Sequence, residues 1–196
     1  MNFLAHLWLT DRAGLPLAGA ILGDVLRGPL PAAMPAPLAR SVMLHRHVDA
    51  NTDRHPRVVA AREQFGPGAR RYAGIVLDLA FDHVLAQDWS RYSTQALPAF
   101  AQRAGRQVAL DGAWFEQGGA PVPEPEPFAE LLQSYATAAG LERAIRRVAR
   151  RLRRPEGLLD AAVGWEQRLA GLREDLPQVL ADLEKLGSNG AGEVKK

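Results

Sequence analysis

The chain contains no cysteine. Disulfides, thiolate zinc sites and iron–sulfur clusters are therefore excluded, and any bound metal must be held by nitrogen and oxygen. Long apolar runs are missing too, because charges interrupt the hydrophobic stretches well before the ~20 residues that a membrane-spanning helix needs. Lysine is scarce: the three present all lie from position 185 onward, so arginine carries nearly all the positive charge. A GC-rich coding sequence explains that bias, and the abundance of alanine and proline, as readily as function does. The opening MNFLAHLWLTDRAG shows no basic leader and no clear signal-cleavage site, so a cytoplasmic protein is expected. No stretch alternates apolar and polar residues well enough to predict a strand.

What is present reads as an ordinary globular composition: 196 residues, 47% apolar and 23% charged, with a net charge of +2. A chain of that length buries about 70% of its unfolded surface on folding. The expectation is an all-α, single-domain helical bundle over residues 1–186, followed by a flexible tail at 187–196, GSNGAGEVKK. Helical periodicity marks 15–28, ended by Gly28–Pro29, and 38–50 after a connector containing Pro31, Pro35 and Pro37. Pro56 opens a third helix closed at Gly66–Pro67, and a long one runs over 68–89. Residues 97–110 read as helix, 111–127 as a Gly- and Pro-rich loop, and 128–139, 140–153 and 157–186 as the remaining helices.

The polar residues that matter sit inside apolar segments. LDLAFDHVL (77–85) carries Asp78 and Asp82, four apart and so on one helical face, with His83 beside them. Burying an unpartnered carboxylate costs several kcal/mol, on the order of 2–7 for an uncharged polar group and more for an ion. NFLAH places His6 in an apolar opening, and LGDVLRG places Asp24 on an apolar helix with Arg27 near its end. LHRHVDANTD is the densest cluster, with His45, Arg46, His47, Asp49 and Asp53. His45, Asp49 and Asp53 repeat the i, i+4 spacing. Helices that present acids and imidazoles at that spacing into a bundle core hold metal ions, and a sulfur-free set suits Mn²⁺, Fe²⁺ or Mg²⁺, with zinc possible.

Each residue also has a purely structural reading. A lone histidine such as His6 on an apolar segment is more often a hydrogen-bonded core residue than a ligand, and Asp24 is explained by an ion pair with Arg27. Asp53 fits a cap before the Pro56 helix. His47 fits a solvated neighbour and His55 a loop position. Asp78 and Asp82 could be satisfied by Arg70 or Arg71. It is the concentration of such residues in four apolar segments that favours a metal site. A further feature is RAIRRVARRLRRPEG, with seven arginines in the twelve residues 143–154 interleaved with Ile145, Val148 and Leu152. It is a solvated basic face or a landing site for an acidic protein or a nucleic-acid backbone. The absence of aromatics from it argues against stacking on single-stranded bases.

In order along the first 90 residues, MNFLAHL, GDVLRG, LHRHVDANTD and RRYAGIVLDLAFDHVLAQDW resemble the acyl carrier protein phosphodiesterase family. The resemblance implies an all-α fold related to the HD-domain phosphohydrolases and an Mn²⁺-dependent enzyme, with Mg²⁺ or Fe²⁺ as other candidates. The implied reaction releases 4′-phosphopantetheine from holo-acyl carrier protein, leaving apo-acyl carrier protein. Carried over by position, the motifs point to His6, Asp24, His45, Asp49, Asp53, Asp78, Asp82 and His83. The chain departs from the pattern at Trp8 and His47, and Asp82–His83 reverses the His-Asp order of HD enzymes.

These readings lead to definite expectations. Metal ligands are expected among His45, Asp49, Asp78 and Asp82, then His6 and Asp24. Catalytic roles fall to Asp53, His83 and Arg46. Phosphate or partner contacts fall to Arg27, Arg70, Arg71, Arg147 and Arg151. The expected partner is holo-acyl carrier protein, with neither nucleic acid nor membrane. An HD-like nucleotide phosphohydrolase and a non-enzymatic binder of an acidic protein or RNA are the rival readings.

Overall fold

The computed structural model describes residues 1–189. Among them are eleven α-helices and three short 3-10 turns: α1 (Phe3–Arg12), α2 (Gly19–Val25), α3 (Ala36–Thr52), α4 (Pro56–Glu63), α5 (Ala73–Gln87), α6 (Leu97–Leu110), α7 (Gly112–Gln117), α8 (Pro125–Ser134), α9 (Ala138–Ala149), α10 (Pro155–Ala161) and α11 (Leu169–Asn189). The all-α expectation holds. No described helix is long and apolar enough to cross a membrane.

Two nearly wholly buried helices organise the bundle. In α1 every residue from Leu4 to Thr10 is buried, and in α5 so are Val76, Leu77 and all of Leu79–Ala86. They pack on each other, and α11 and α3 close around α1. Each buried leucine in this pair stabilises the fold by about 1.5–3 kcal/mol. The α6–α8 pair packs together at the periphery, closely enough that a Cβ at Gly105 would collide with the Pro125 carbonyl.

Several expected boundaries are corrected. The helix α1 was read only as an apolar opening, because a segment buried on all sides shows no amphipathic period. Pro37 lies in the first turn of α3 rather than in the connector, where its missing N–H costs nothing. A short helix, α7, forms within the expected 111–127 loop. The expected 157–186 helix is two helices, broken where Gly164 takes a left-handed φ of 69°. The last helix continues through Asn189, and residues 190–196 of the expected tail lie outside the described residues.

Candidate metal centre and acid cleft

The geometry of the site begins with a cap supplied across the fold. Asn2 precedes α1 without giving it a side-chain cap. Instead Asp82, fully buried on α5, accepts hydrogen bonds from the amides of Leu4 (2.7 Å) and Ala5 (3.0 Å). Two of the orphan donors of a helix start are thereby satisfied by a carboxylate lying 77 or more residues away, at the positive end of the helix dipole. Burial pushes the Asp82 carboxyl up to about 7, against the pull of those two amides. Asp82, expected among the metal ligands, has both its oxygens on the amides of α1.

Held this way, α1 directs His6 toward α3. His6 Nε2 lies 2.9 Å from Asp49 Oδ1, and its ring stacks on that of His45 with centroids 4.0 Å apart. His45 Nδ1–H donates to the Ala20 carbonyl at 2.7 Å. That bond turns Nε2 outward, 3.2 Å from Asp49 Oδ2 and 3.4 Å from Asp24 Oδ1. A backbone carbonyl on one ring nitrogen is the usual way to orient a ligating imidazole. The donor atoms of His6, His45 and Asp49 all lie within 4.8 Å of one another. Thus the i, i+4 pair His45–Asp49 does converge, and Asp24 turns to His45 instead of pairing with Arg27.

Glycine makes this convergence possible. A Cβ at Gly23 would collide with the His45 ring, and one at Gly19 with Ser41. The two glycines are four apart, as are Ser41 and His45, so α2 lies directly on α3. Ser41 Oγ reinforces the contact by donating to the Pro16 carbonyl at 2.7 Å.

The charges are arranged unequally. Burial lowers the affinity of His6 for a proton, to a pKa of about 4. Burial acts the same way on His45, but the Asp24 and Asp49 carboxylates override it and raise that imidazole to about 9. Burial would raise Asp49; its bonds to His45 and His6 hold it well below the usual carboxylate range. Beside them opens a cleft of about 300 Å³, into which Asp24, Asp49, Asp53 and Asp78 all face. The α-ammonium of Met1 sits in its wall, 2.9 Å from Asp78 Oδ1 and 4.0 Å from Asp49 Oδ1.

The remaining expected residues are placed as follows. Asp78 reaches the cleft, held by that ammonium and not by Arg70 or Arg71. Asp53 lines the cleft and is paired with Arg62; the cap before α4 comes from His55, whose Nδ1 accepts from the Arg57 amide. His83 is turned elsewhere: its Nδ1 bonds the Tyr135 carbonyl at 2.6 Å and its ring meets Trp165 edge-on. Arg46 spends its guanidinium on the Leu26 and Gly28 carbonyls, at 2.6 and 2.9 Å, tying off the end of α2. His83 and Arg46, expected in catalytic roles, thus bond backbone carbonyls, and neither lines the cleft. Arg27, Arg70, Arg71, Arg147 and Arg151 are all exposed. Sequence reasoning missed the Met1 ammonium and the two glycines of α2; their four-residue spacing was the available signal for the glycines.

These helices define an all-α protein with a buried histidine–aspartate cluster opening on an acidic cleft. The chain belongs to the acyl carrier protein phosphodiesterase family, whose model matches residues 1–183. Similar proteins bearing that name come from Photorhabdus laumondii, 33% identical over 95% of this chain and 89% of the relative, and from Enterobacter sp. (strain 638), 41% identical over 56% of this chain. A third, from Serratia proteamaculans, is 43% identical over 55% of this chain. The matched segment spans 58% of the Enterobacter relative and 56% of the Serratia one. No solved structure matches the chain.

Proposed function

We propose that this protein hydrolyses the phosphodiester between 4′-phosphopantetheine and a serine of holo-acyl carrier protein in the cytoplasm, using Mn²⁺ or a related divalent cation. The observation that carries the reading is the cleft itself. Four carboxylates face one recess, and the one cation lining it among the described residues, the Met1 ammonium, is already paired with Asp78, so the charge that receives a phosphodiester anion has to come from a bound cation. The donor set fits such an ion, being oxygen and imidazole without sulfur. The names of the relatives supply the substrate class.

In this reading His6, His45 and Asp49 hold the ion, and Asp24 and Asp78 flank it. A divalent cation there supplies positive charge against the non-bridging phosphate oxygens and acidifies water near neutral pH. The Ala20 carbonyl fixes the His45 tautomer, and the Asp82 cap holds His6 in place. Asp53, oriented by Arg62, is the cleft carboxylate left to accept a proton from the attacking water. The exposed Arg147 on α9 and Arg151 just after it receive the acidic surface of the carrier protein.

The test follows the intact mass of holo-acyl carrier protein incubated with the protein and Mn²⁺. Loss of the phosphopantetheine mass, abolished by EDTA and by Asp49→Asn, is the expected result. An unchanged mass across several carrier proteins and metals overturns the reading.

A further inference from the structure

A second recess opens beside the acid cleft. Its volume is about 620 Å³, and Arg71, Tyr72, Ile75, Leu152, Arg153 and Arg154 line it. Ile75 lines both recesses. Val148 of the cleft and Leu152 of the second recess are four residues apart where α9 runs out into a tight turn, Leu152 N–H bonding the Ala149 carbonyl. The two recesses therefore share a wall on α5 and another at the end of α9, forming one trough with two chemistries. The cleft end presents carboxylates. The other end has an apolar floor of Tyr72, Ile75 and Leu152 beneath a rim of guanidinium groups.

The wall at Tyr72 is fixed. The Arg71 guanidinium stacks on the Tyr72 ring, 4.6 Å from its centroid, and donates to its hydroxyl at 2.8 Å. That hydroxyl donates to the Arg154 carbonyl at 3.4 Å. A Cβ at Gly157 would collide with the same ring, so the start of α10 packs flat against it. Among the described residues no carboxylate pairs with Arg71, Arg153 or Arg154. Apart from the bond from Arg71 to the Tyr72 hydroxyl, their guanidinium N–H groups have no acceptor among the described residues.

We propose that this recess binds the pantetheine arm of the substrate, with the diester phosphorus lying in the acid cleft. The proposal rests on the reading given under Proposed function. A slender chain suits a recess that continues a phosphate site, whereas a folded carrier protein needs a broad surface, which the outer face of α9 provides. The arm's quaternary dimethyl carbon matches the Ile75–Leu152 floor. Its hydroxyl and two amide carbonyls are acceptors for a rim that offers only donors. A recess of several hundred cubic ångströms lined by apolar groups with a few convergent polar ones is the usual form of a small-molecule site.

The experiment compares three ligands on the full Mn²⁺-loaded chain and its Leu152→Glu and Arg154→Ala variants. One is a small diester of 4′-phosphopantetheine with N-acetylserine amide, one is the armless bis(4-nitrophenyl) phosphate, and one is holo-acyl carrier protein. Calorimetry in parallel measures binding of 4′-phosphopantetheine and of ethyl phosphate. With Leu152→Glu, the KM of the pantetheine diester should rise about tenfold or more and 4′-phosphopantetheine binding should weaken in parallel, as for loss of an apolar subsite contact. The armless diester and ethyl phosphate should be unaffected, which also shows that the variant folds. Arg154→Ala should act in the same direction and less strongly. Equal losses on armed and armless ligands, or no loss on either, overturn the proposal. So does a loss confined to the carrier protein, which would make the recess part of the protein docking surface. If the wild type binds 4′-phosphopantetheine through this recess yet cleaves no pantetheine diester, the proposed activity fails while the arm site stands.

Discussion

Two pairs of residues with the same sequence spacing meet opposite fates. His45 and Asp49 on α3, four apart, turn to one point beside the cleft and meet His6 and Asp24 there. Asp78 and Asp82 on α5, also four apart, part company: Asp78 reaches the cleft, and Asp82 is buried on the amides of α1. Spacing places two side chains on one helical face but does not determine what that face meets. Along α5 the upper turn meets open cleft and the next turn meets the start of another helix. A carboxylate is useful in both places, first as a charge for cations and then as a pair of acceptors for orphan N–H groups.

That contrast can be broken by substitution. The largest effect is expected for Asp49→Asn, which removes a charge shared by both imidazoles: turnover should fall on the order of a thousandfold, given the several kcal/mol that a bound cation supplies. Mn²⁺ binding measured by electron paramagnetic resonance should weaken with it. Asp82→Ala should do the reverse. It strands two buried amides and should destabilise the fold by about 2–6 kcal/mol in urea titrations, at 1–3 per unsatisfied group, while folded protein still binds Mn²⁺. If Asp82→Asn loses Mn²⁺ with its stability intact, Asp82 is a ligand after all and the contrast collapses.

The same residue predicts a pH dependence. Its carboxyl keeps a proton to about pH 7 in the folded chain, well above the ordinary carboxylate value of ~4 in the unfolded one. Its contribution to stability is therefore full below about pH 4 and is lost as pH rises through 7. In metal-free protein, urea denaturation of the wild type should show a loss of about 4 kcal/mol across that window relative to Asp82→Asn. A parallel pH profile in the two proteins would place the proton elsewhere.

Smaller effects separate two helical glycines. Gly23→Ala forces a methyl into the His45 ring and should cost about 1–3 kcal/mol, as other overpacked contacts do, with weaker Mn²⁺ binding. Gly171→Ala on α11 meets nothing within 4 Å and should stabilise by up to about 1 kcal/mol through helix propensity. If both substitutions prove neutral in chemical denaturation, α2 does not lie on α3 as tightly as His45 requires.

Much of this was legible in the sequence. The spacing in LHRHVDANTD placed His45 and Asp49 together, and His6 and Asp24 stood out as polar residues in apolar segments; the structure brings all four to one point. The helical class followed from periodicity and from proline and glycine punctuation. What was not legible depends on contacts distant in the chain. The Asp82 cap joins residues 77 and 78 positions apart, and no local pattern encodes it. The same is true of His83, whose partners Tyr135 and Trp165 lie far along the chain. The use of Arg46 on the end of α2, in place of the expected catalytic position, depends on how α2 and α3 dock. The helix α1 escaped notice because complete burial erases the one-sided pattern by which surface helices are recognised.

The acid cleft and the arginine-lined recess beside it have a consequence for kinetics. A net charge of +2 would suggest a molecule almost indifferent to charged partners. Yet negative charge is gathered in the cleft and positive charge on the ridge next to it, so this face of the molecule is a strong local dipole. An acidic partner approaching it feels little net pull from a distance but a turning force close in, swinging its anionic side onto the ridge. Added salt should then slow association by spoiling orientation at short range more than by weakening long-range attraction, with most of the decline setting in once the screening length falls below about 10 Å.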